Sequence, residues 1–340
     1  MLGGLKFGES VKRARQETHA LGANNTWGAY QCYGNPDFAL TPQPGSQSWP
    51  KRAFYSRREC LDELRDLAAK ATGAPADRVK SLAESVAELD RLLISSWRDG
   101  ESLSALAEAF KSLGNFGAAL EAYDEALRDG KSRASVQTIE SHANLKDRHA
   151  ARLFKKDPGA ARQLWEDAER RLLGLNAVLG DSSERLSLLA ANCKRRGTVA
   201  EGAERGKYFQ AAAEFYQKAY QHTKKTESSI DLYSGLNAIA LSYVAGVPSE
   251  IAEECLKFAG GKKDYPDFWA RVYRPDSLLL EYLLTGKLDS QAEEVIKAYQ
   301  EAFQHGTPHQ RDSALGQLKF LRDASPKDAP ALQRVLDKLS

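Results

Sequence analysis

Cysteine is scarce in this chain, and the four that occur, Cys32, Cys60, Cys193 and Cys255, are far apart. No C-x-x-C pair or metal-ligand cluster can be drawn from them. An excess of one charge is also missing. The 48 Lys and Arg nearly balance the 46 Asp and Glu, for a formal charge of +2. The basic pairs Lys51-Arg52, Arg57-Arg58, Arg195-Arg196 and Lys224-Lys225 are short and separate, so nothing points to nucleic acid. No apolar run approaches the length of a membrane span, and the opening MLGGLKFGESVKRARQ lacks the continuous apolar stretch of a secretion signal. The expectation is a soluble, cytoplasmic protein without a membrane or nucleic-acid partner.

Chemistry-bearing motifs are thin as well. There is neither a G-x-G-x-x-G nor a Walker A sequence, and Gly260-Gly261-Lys262-Lys263 follows no strand. His305 and His309 are one helical turn apart in spacing, but HGTPH contains Gly306 and Pro308 and reads as a loop. Glu253-Glu254 and Glu293-Glu294 are adjacent, so the members of each pair cannot face one site together. The chain is therefore expected to be non-catalytic and to need no cofactor.

What is present is helix. Proline is sparse after residue 50, while alanine, leucine, glutamate and lysine are plentiful, which predicts mostly helix from about residue 55 onward. The clearest stretch is Ser102 to Asp129, SLSALAEAFKSLGNFGAALEAYDEALRD. Leu103, Leu106, Ala107 and Phe110 recur at helical spacing. Gly114 and Asn115 break the pattern, and Ala119, Leu120, Tyr123, Ala126 and Leu127 resume it. Two short antiparallel helices joined by a tight turn fit this pattern. It resembles a tetratricopeptide repeat, and one such hairpin cannot bury its own apolar face, so copies should follow.

They do follow, loosely. A ring or leucine followed three residues later by alanine recurs as Tyr123 and Ala126, Trp165 and Ala168, Tyr216 and Ala219, Leu256 and Ala259, and Tyr299 and Ala302. The intervals of 40 to 51 residues exceed the family's 34, so either the helices are longer or the turns carry insertions. Gly197 to Gly206 reads as one such long, polar connection. The ring is expected to fill the gap between the second helix of a hairpin and its own first helix. The alanine admits the neighbouring helix.

A second recurrence concerns binding. Ala143-Asn144-Leu145-Lys146 and Ala191-Asn192-Cys193-Lys194 share the pattern A-N-x-K, and Leu236-Asn237-Ala238 repeats its centre. In a stack of hairpins the first helices line the concave surface, where side chains can hold an extended peptide or a helix. Asn144, Lys146, Asn192, Lys194 and Asn237 are thus the candidate peptide-binding residues, because asparagine can satisfy a peptide's donor and acceptor together. The alternative is that each asparagine bonds a neighbouring repeat's backbone. If the nearby cations Arg148, Arg152, Arg195 and Arg196 also face the groove, an acidic segment is the natural guest.

Residues 1 to 50 differ from the rest. A short helix is predicted from Gly8 to about Thr18, then a strand over TWGAYQCYG, residues 26 to 34, with aromatics on both faces. Asp37 to Leu40 reads as a short further strand, and TPQPGSQSWP as a linker. FGESVKRARQET followed by NNTWGAYQCYGNPDFAL resembles the last helix and strand of a CHAT domain, the caspase-like peptidase fold often joined to tetratricopeptide repeats. That resemblance implies a chain without the family's catalytic histidine and cysteine, which lie upstream of this region. His19 and Cys32 match neither motif. LYSGLNAIAL, DFWARVYRPDSLLLEYLLTG and SALGQLKFL are similar to helical repeats found beside CHAT domains and in some signalling kinases.

The expected architecture is all-α. It is a right-handed superhelical solenoid of tetratricopeptide-like hairpins over residues 101–340, a linker and bridging hairpin over 46–100, and a short helix-strand remnant of an α/β caspase-like domain over 1–45. The expected function is a scaffold that binds a protein or peptide for a caspase-like signalling or defence protein. Two alternatives stand beside it: the regulatory half of a cysteine peptidase whose catalytic residues lie outside this chain, and a stand-alone adaptor.

Overall fold

The computed structural model describes residues 5–20, 33–39, 54–128, 134–261 and 266–339. The chain divides into two units, Met1–Tyr55 and Ser56–Ser340.

The first unit contains one described helix, α1 (Phe7–Ala20), none of whose residues is buried. Its start is tied to a turn at residues 35–38. Phe7 N–H donates to the Phe38 carbonyl at 2.6 Å, Gly8 N–H donates to the Pro36 carbonyl at 2.8 Å, and the Lys6 ammonium pairs with Asp37 at 2.9 Å. A single antiparallel bridge joins Lys6 and Ala39. Among the described residues there is no strand, which corrects the expectation of a helix-strand remnant of a caspase-like fold. The second predicted strand, at 37–40, lies within the described residues up to Ala39 and begins in a turn for a local reason: the Asn35 side chain and carbonyl take the N–H groups of Asp37 and Phe38, and Pro36 has none to give. The predicted strand at 26–34 lies outside the described residues except for Tyr33 and Gly34.

The second unit is helical throughout its described length. α2 (Arg57–Ala71), capped by the Ser56 side chain, packs on α3 (Ala76–Leu92) and on α4 (Gly100–Ser112). α4 and α5 (Phe116–Arg128) form the clear hairpin. Its turn needs Gly114, whose φ of +75° is costly for any side-chain-bearing residue. Four further helix pairs follow in register: α6 (Val136–Leu153) with α7 (Pro158–Leu179), α8 (Ser183–Val199) with α9 (Gly202–Glu227), α10 (Leu232–Ala245) with α11 (Ala252–Gly261), and α12 (Phe268–Leu284) with α13 (Leu288–Phe303). α14 (Pro308–Ala324) and α15 (Ala329–Leu339) close the series. Neighbouring first helices also touch, α6 with α8 and α10 with α12, as hairpins stacked in a solenoid require.

The long repeat interval comes from long helices. α7 has 22 residues and α9 has 26. The connection between α8 and α9 is just Ala200 and Glu201, not the predicted polar stretch from Gly197 to Gly206. Gly197 sits inside α8, where a Cβ would stand 2.7 Å from the Phe209 ring, so this glycine permits close helix approach instead of breaking a helix. α12 also begins earlier than its apolar run suggests and continues through Pro275.

The recurring ring-and-alanine pairs lie buried on second helices. Tyr123 donates its hydroxyl to the Glu108 carboxylate of α4. Trp165 donates its indole N–H to the Asp147 carbonyl of α6 at 3.2 Å, and Tyr299 donates to Asp276 of α12. Each of these rings reaches its own first helix. The Tyr216 hydroxyl points onward instead, 3.4 Å from that of Tyr233 on the following first helix α10. A continuous apolar core runs from α8 to α15, with α10 at its centre: Leu236, Ala238, Ile239, Ala240 and Leu241 are all buried there.

Candidate functional site

The series of hairpins curls back on itself. Gln317 of α14 accepts a hydrogen bond from Lys194 of α8 at 2.7 Å, and the Asp323 carbonyl accepts one from Arg205 of α9 at 3.0 Å. Phe320 of α14 packs edge-on against Phe209 of α9, with ring centroids 5.5 Å apart. Contacts between residues more than a hundred positions apart thus bring the last hairpin to the third. Between them lies a cavity of about 1210 Å³, with walls from α8, α9, α10, α12 and α14.

The lining is aromatic with a few polar groups set into it. Phe209, Tyr216, Tyr233, Trp269, Tyr273 and Phe320 supply the rings. Trp269 and Tyr233 are 40% and 49% exposed, so a large part of the aromatic surface is open. Lys194 stands among these groups with its ammonium 4.2 Å from the Phe320 ring centroid. Burial, then the neighbouring Arg195 charge, pushes its pKa down to about 8. Asp276 is moved the other way. Burial raises its pKa to about 6, against the Tyr299 hydroxyl and the Lys194 charge, which favour its ionised form. A lysine and a carboxyl are both held where their charged forms are costly, inside a cavity that is otherwise largely apolar. That combination is typical of ligand sites.

The candidate residues drawn from the sequence separate here. Lys194 and Asn237 line the cavity. The Asn237 side chain donates to the Tyr233 carbonyl one turn back on its own helix, at 2.9 Å. Asn192 is buried and donates to the Trp165 carbonyl of the preceding hairpin at 3.2 Å. Lys146 is buried too, in an ion pair with Asp167 of α7 at 2.5 Å, with Asp124 of α5 at 3.9 Å. Asn144 is half-buried on α6 and is not part of the cavity wall.

Sequence reasoning missed the wall contributed by α12 and α14. Trp269, Tyr273 and Asp276 follow one another at i, i+4 and i+7, a stripe on one face of α12 separate from the leucines of the core. The spacing stands in the sequence, but nothing local shows that this face of α12 turns toward α8 and α14. Gln317 and Phe320 are i and i+3 on α14 and carry no signal until α14 is known to meet α8.

Elsewhere the polar clusters are structural. Arg195 pairs with Asp147, Arg185 with Glu140, and Arg98 with Asp90 and Glu125. Cys60, Cys193 and Cys255 are buried thiols, with burial pushing the last two up to about 12. Among the described residues no group of three His, Cys, Asp or Glu is placed to hold a metal ion, and no helix is long and apolar enough to cross a membrane.

Comparison with known families places one match on this framework. Residues 115–242, from the start of α5 into α10, match TPR-S, the Tetratricopeptide Repeats-Sensor family. No curated protein and no solved structure matches the chain. The match lies wholly within the helical repeats, and no caspase-like domain is found. With no strand among the described residues, the resemblance of residues 7 to 40 to a CHAT domain is withdrawn. Residues 115–242 are thus similar to tetratricopeptide repeats, and the described helices on either side of them continue the same stacking of helical hairpins.

Proposed function

We propose that the repeats form a non-catalytic binding scaffold and that the cavity walled by α8, α9, α10, α12 and α14 receives a segment of a protein partner. The observation that carries this reading is the cavity itself. A void of about 1210 Å³ is far larger than packing defects in a well-formed core, and it is lined by rings with a few convergent polar groups. The inner surface of a helical-repeat stack is where such proteins take their ligands. In this reading Lys194 and Asn237 contact the guest, while Asn144, Lys146 and Asn192 hold the stack together. The match to a family with "sensor" in its description supports the further step that occupancy of the cavity is what the protein reports. The proposal includes a reducing, cytoplasmic setting, which suits three buried unpaired thiols.

A block inside the cavity tests the proposal. Gly316 lines the cavity on α14, and a Cβ built there meets nothing within 4 Å, so Gly316→Trp fills space without overpacking the core. Peptides selected from a random display library on the full chain are expected to lose binding to Gly316→Trp and to crosslink to α8, α12 or α14. Peptides that bind both forms equally and crosslink elsewhere would overturn the reading.

A further inference from the structure

We infer that the cavity is built for an organic anion: an acidic group seated on Lys194, carried by a flat apolar body lodged among Trp269, Tyr273 and Phe320. This rests on the proposal that the cavity is the binding site, and it names the chemistry of the guest.

Lys194 is a cation without an ion-pair partner among the described residues, the Asp276 charge acting on it only from beyond contact distance. Among the described residues no carboxylate oxygen lies within 4.0 Å of the Lys194 ammonium. Its hydrogen-bond partner is the neutral Gln317 amide, and its other neighbour is the face of Phe320. A ring face compensates a desolvated ammonium in part. It does not replace an anion, because a buried charge without an opposite charge carries most of its desolvation cost.

The sequence shows how this vacancy arises. Lys146 and Lys194 end the two copies of A-N-x-K. Lys146 is neutralised by Asp167, which lies two residues after Trp165 on α7. The residue two after Tyr216, at the matching place on α9, is Lys218. The acid that occupies the partner position in one hairpin is a base in the next, so Lys194 has no acid from α9 and extends toward α14.

The other charged groups of the cavity do not fill the gap. Asp276 of α12 receives the Tyr299 hydroxyl and stands outside ion-pair distance of Lys194. Arg195 is paired with Asp147, and Arg205 is held by the Asp323 carbonyl and the Phe209 ring. Asp267, Asp323 and the exposed Lys319 complete the charged lining. A cationic guest would be repelled by Lys194, and a neutral one would leave its ammonium uncompensated. An anion relieves that cost and gains a charge-assisted hydrogen bond in a site partly shielded from water. The rings define the remainder of the guest, since flat apolar bodies stack on Trp, Tyr and Phe faces.

The test uses two fluorescent probes of nearly the same shape on the full chain: 8-anilinonaphthalene-1-sulfonate, which is anionic, and N-phenyl-1-naphthylamine, which is neutral. The sulfonate is expected to bind about tenfold tighter than the neutral amine, the size of one charge-assisted hydrogen bond. Lys194→Met should remove that preference and leave the neutral probe unchanged. If Lys194→Met fails to fold, Gln317→Glu decides, because it supplies a carboxylate beside Lys194 and should likewise abolish the preference. Gly316→Trp should weaken both probes. A sulfonate preference that persists in the decisive variant overturns the anion inference and leaves the cavity reading intact, provided Gly316→Trp still weakens both probes. Binding of both probes unchanged by Gly316→Trp overturns the cavity reading and this inference together. Displacement of the sulfonate by phenyl phosphate identifies a small free anion as the guest class, and displacement by N-acetyl-Trp-Asp-amide identifies an acidic peptide side chain. Displacement by neither at millimolar concentration counts against the inference.

Discussion

Helices α6 and α8 carry the same tetrad at matching places in consecutive hairpins, and the two lysines live differently. Lys146 is buried and clamped by Asp167, which itself also receives Arg170 and Arg171. Lys194 looks across a cavity to a neutral amide and a phenyl ring. The first half of the stack closes its inner side with ion pairs, and the second half leaves its inner side open and aromatic. The difference does not come from the tetrad. It comes from a neighbouring second helix, where Asp167 gives way to Lys218. In a repeat protein a binding site can be made by removing one counter-charge from a motif that is structural one repeat earlier.

What the halves share sets the largest expected effect. Ala126 and Ala219 are both fully buried one turn after a ring, at the crossing with a neighbouring helix. Ala126→Leu and Ala219→Leu should each overpack the stack by about 1–3 kcal/mol. Urea unfolding measures this. A cost in one half and none in the other would mean that the ring-and-alanine pair has different packing roles along the chain.

The lysines should then part company. Lys146→Met leaves Asp167 with its two arginines but removes the buried member of the pair, at a cost of about 2 kcal/mol. Lys194→Met replaces a desolvated, unpaired ammonium by an apolar chain of similar length, so its stability should stay within about 0.5 kcal/mol of the parent or rise. Equal losses in the two variants would erase the distinction between a structural and a ligand-facing lysine.

The halves should also respond to pH with opposite signs. His142 of α6 is fully buried, its ring tilted on Tyr123, and neither ring nitrogen is hydrogen-bonded although Asp124 lies 3.2 Å away. Burial, then Lys146 and Arg171, hold its pKa down at about 3 against an ordinary 6.5. A folded state that binds fewer protons than the unfolded one keeps this contribution above pH 6.5 and loses it as pH falls toward 3. Asp276 runs the other way. Its folded pKa of about 6 exceeds the ordinary 3.8, so its contribution is complete below 3.8 and is lost as pH rises through 6. His142→Phe should flatten the acid side of the melting-temperature profile, and Asp276→Asn should flatten the neutral side. Profiles parallel to the parent in both variants would remove these two groups from the account.

Much of the fold was legible because helix formation is local. Leucine and alanine spacing located α4 and α5, each a run whose apolar face is set by its own residues. Glycine misled where its reason was distant. Gly197 is required by Phe209 on another helix, and no local rule separates that from a breaker. The cavity was half legible for the same reason. Lys194 and Asn237 could be found from a repeated motif, whereas Gln317 and Phe320 become neighbours of Lys194 only when the stack curls through the five intervening helices. At the amino terminus, aromatic alternation and a family resemblance suggested strands, but the described segment at 35–38 is a turn whose N–H groups bond Asn35 and whose carbonyls take the first N–H groups of α1.

The smallest expected effect is the most diagnostic for the asparagines. Asn192 bonds the backbone of the preceding hairpin, whereas Asn237 bonds its own helix, where the Tyr233 carbonyl already accepts in the helical ladder. Removing a bond of the second kind exposes no orphaned partner. Asn237→Ala should therefore change stability by less than about 0.5 kcal/mol. Its amide nevertheless lies on the cavity wall and can turn from Tyr233 to a guest by a change of rotamer. Loss of peptide binding in Asn237→Ala at unchanged stability would assign this asparagine to the guest. Loss of stability with binding retained would return it to the scaffold, beside Asn192.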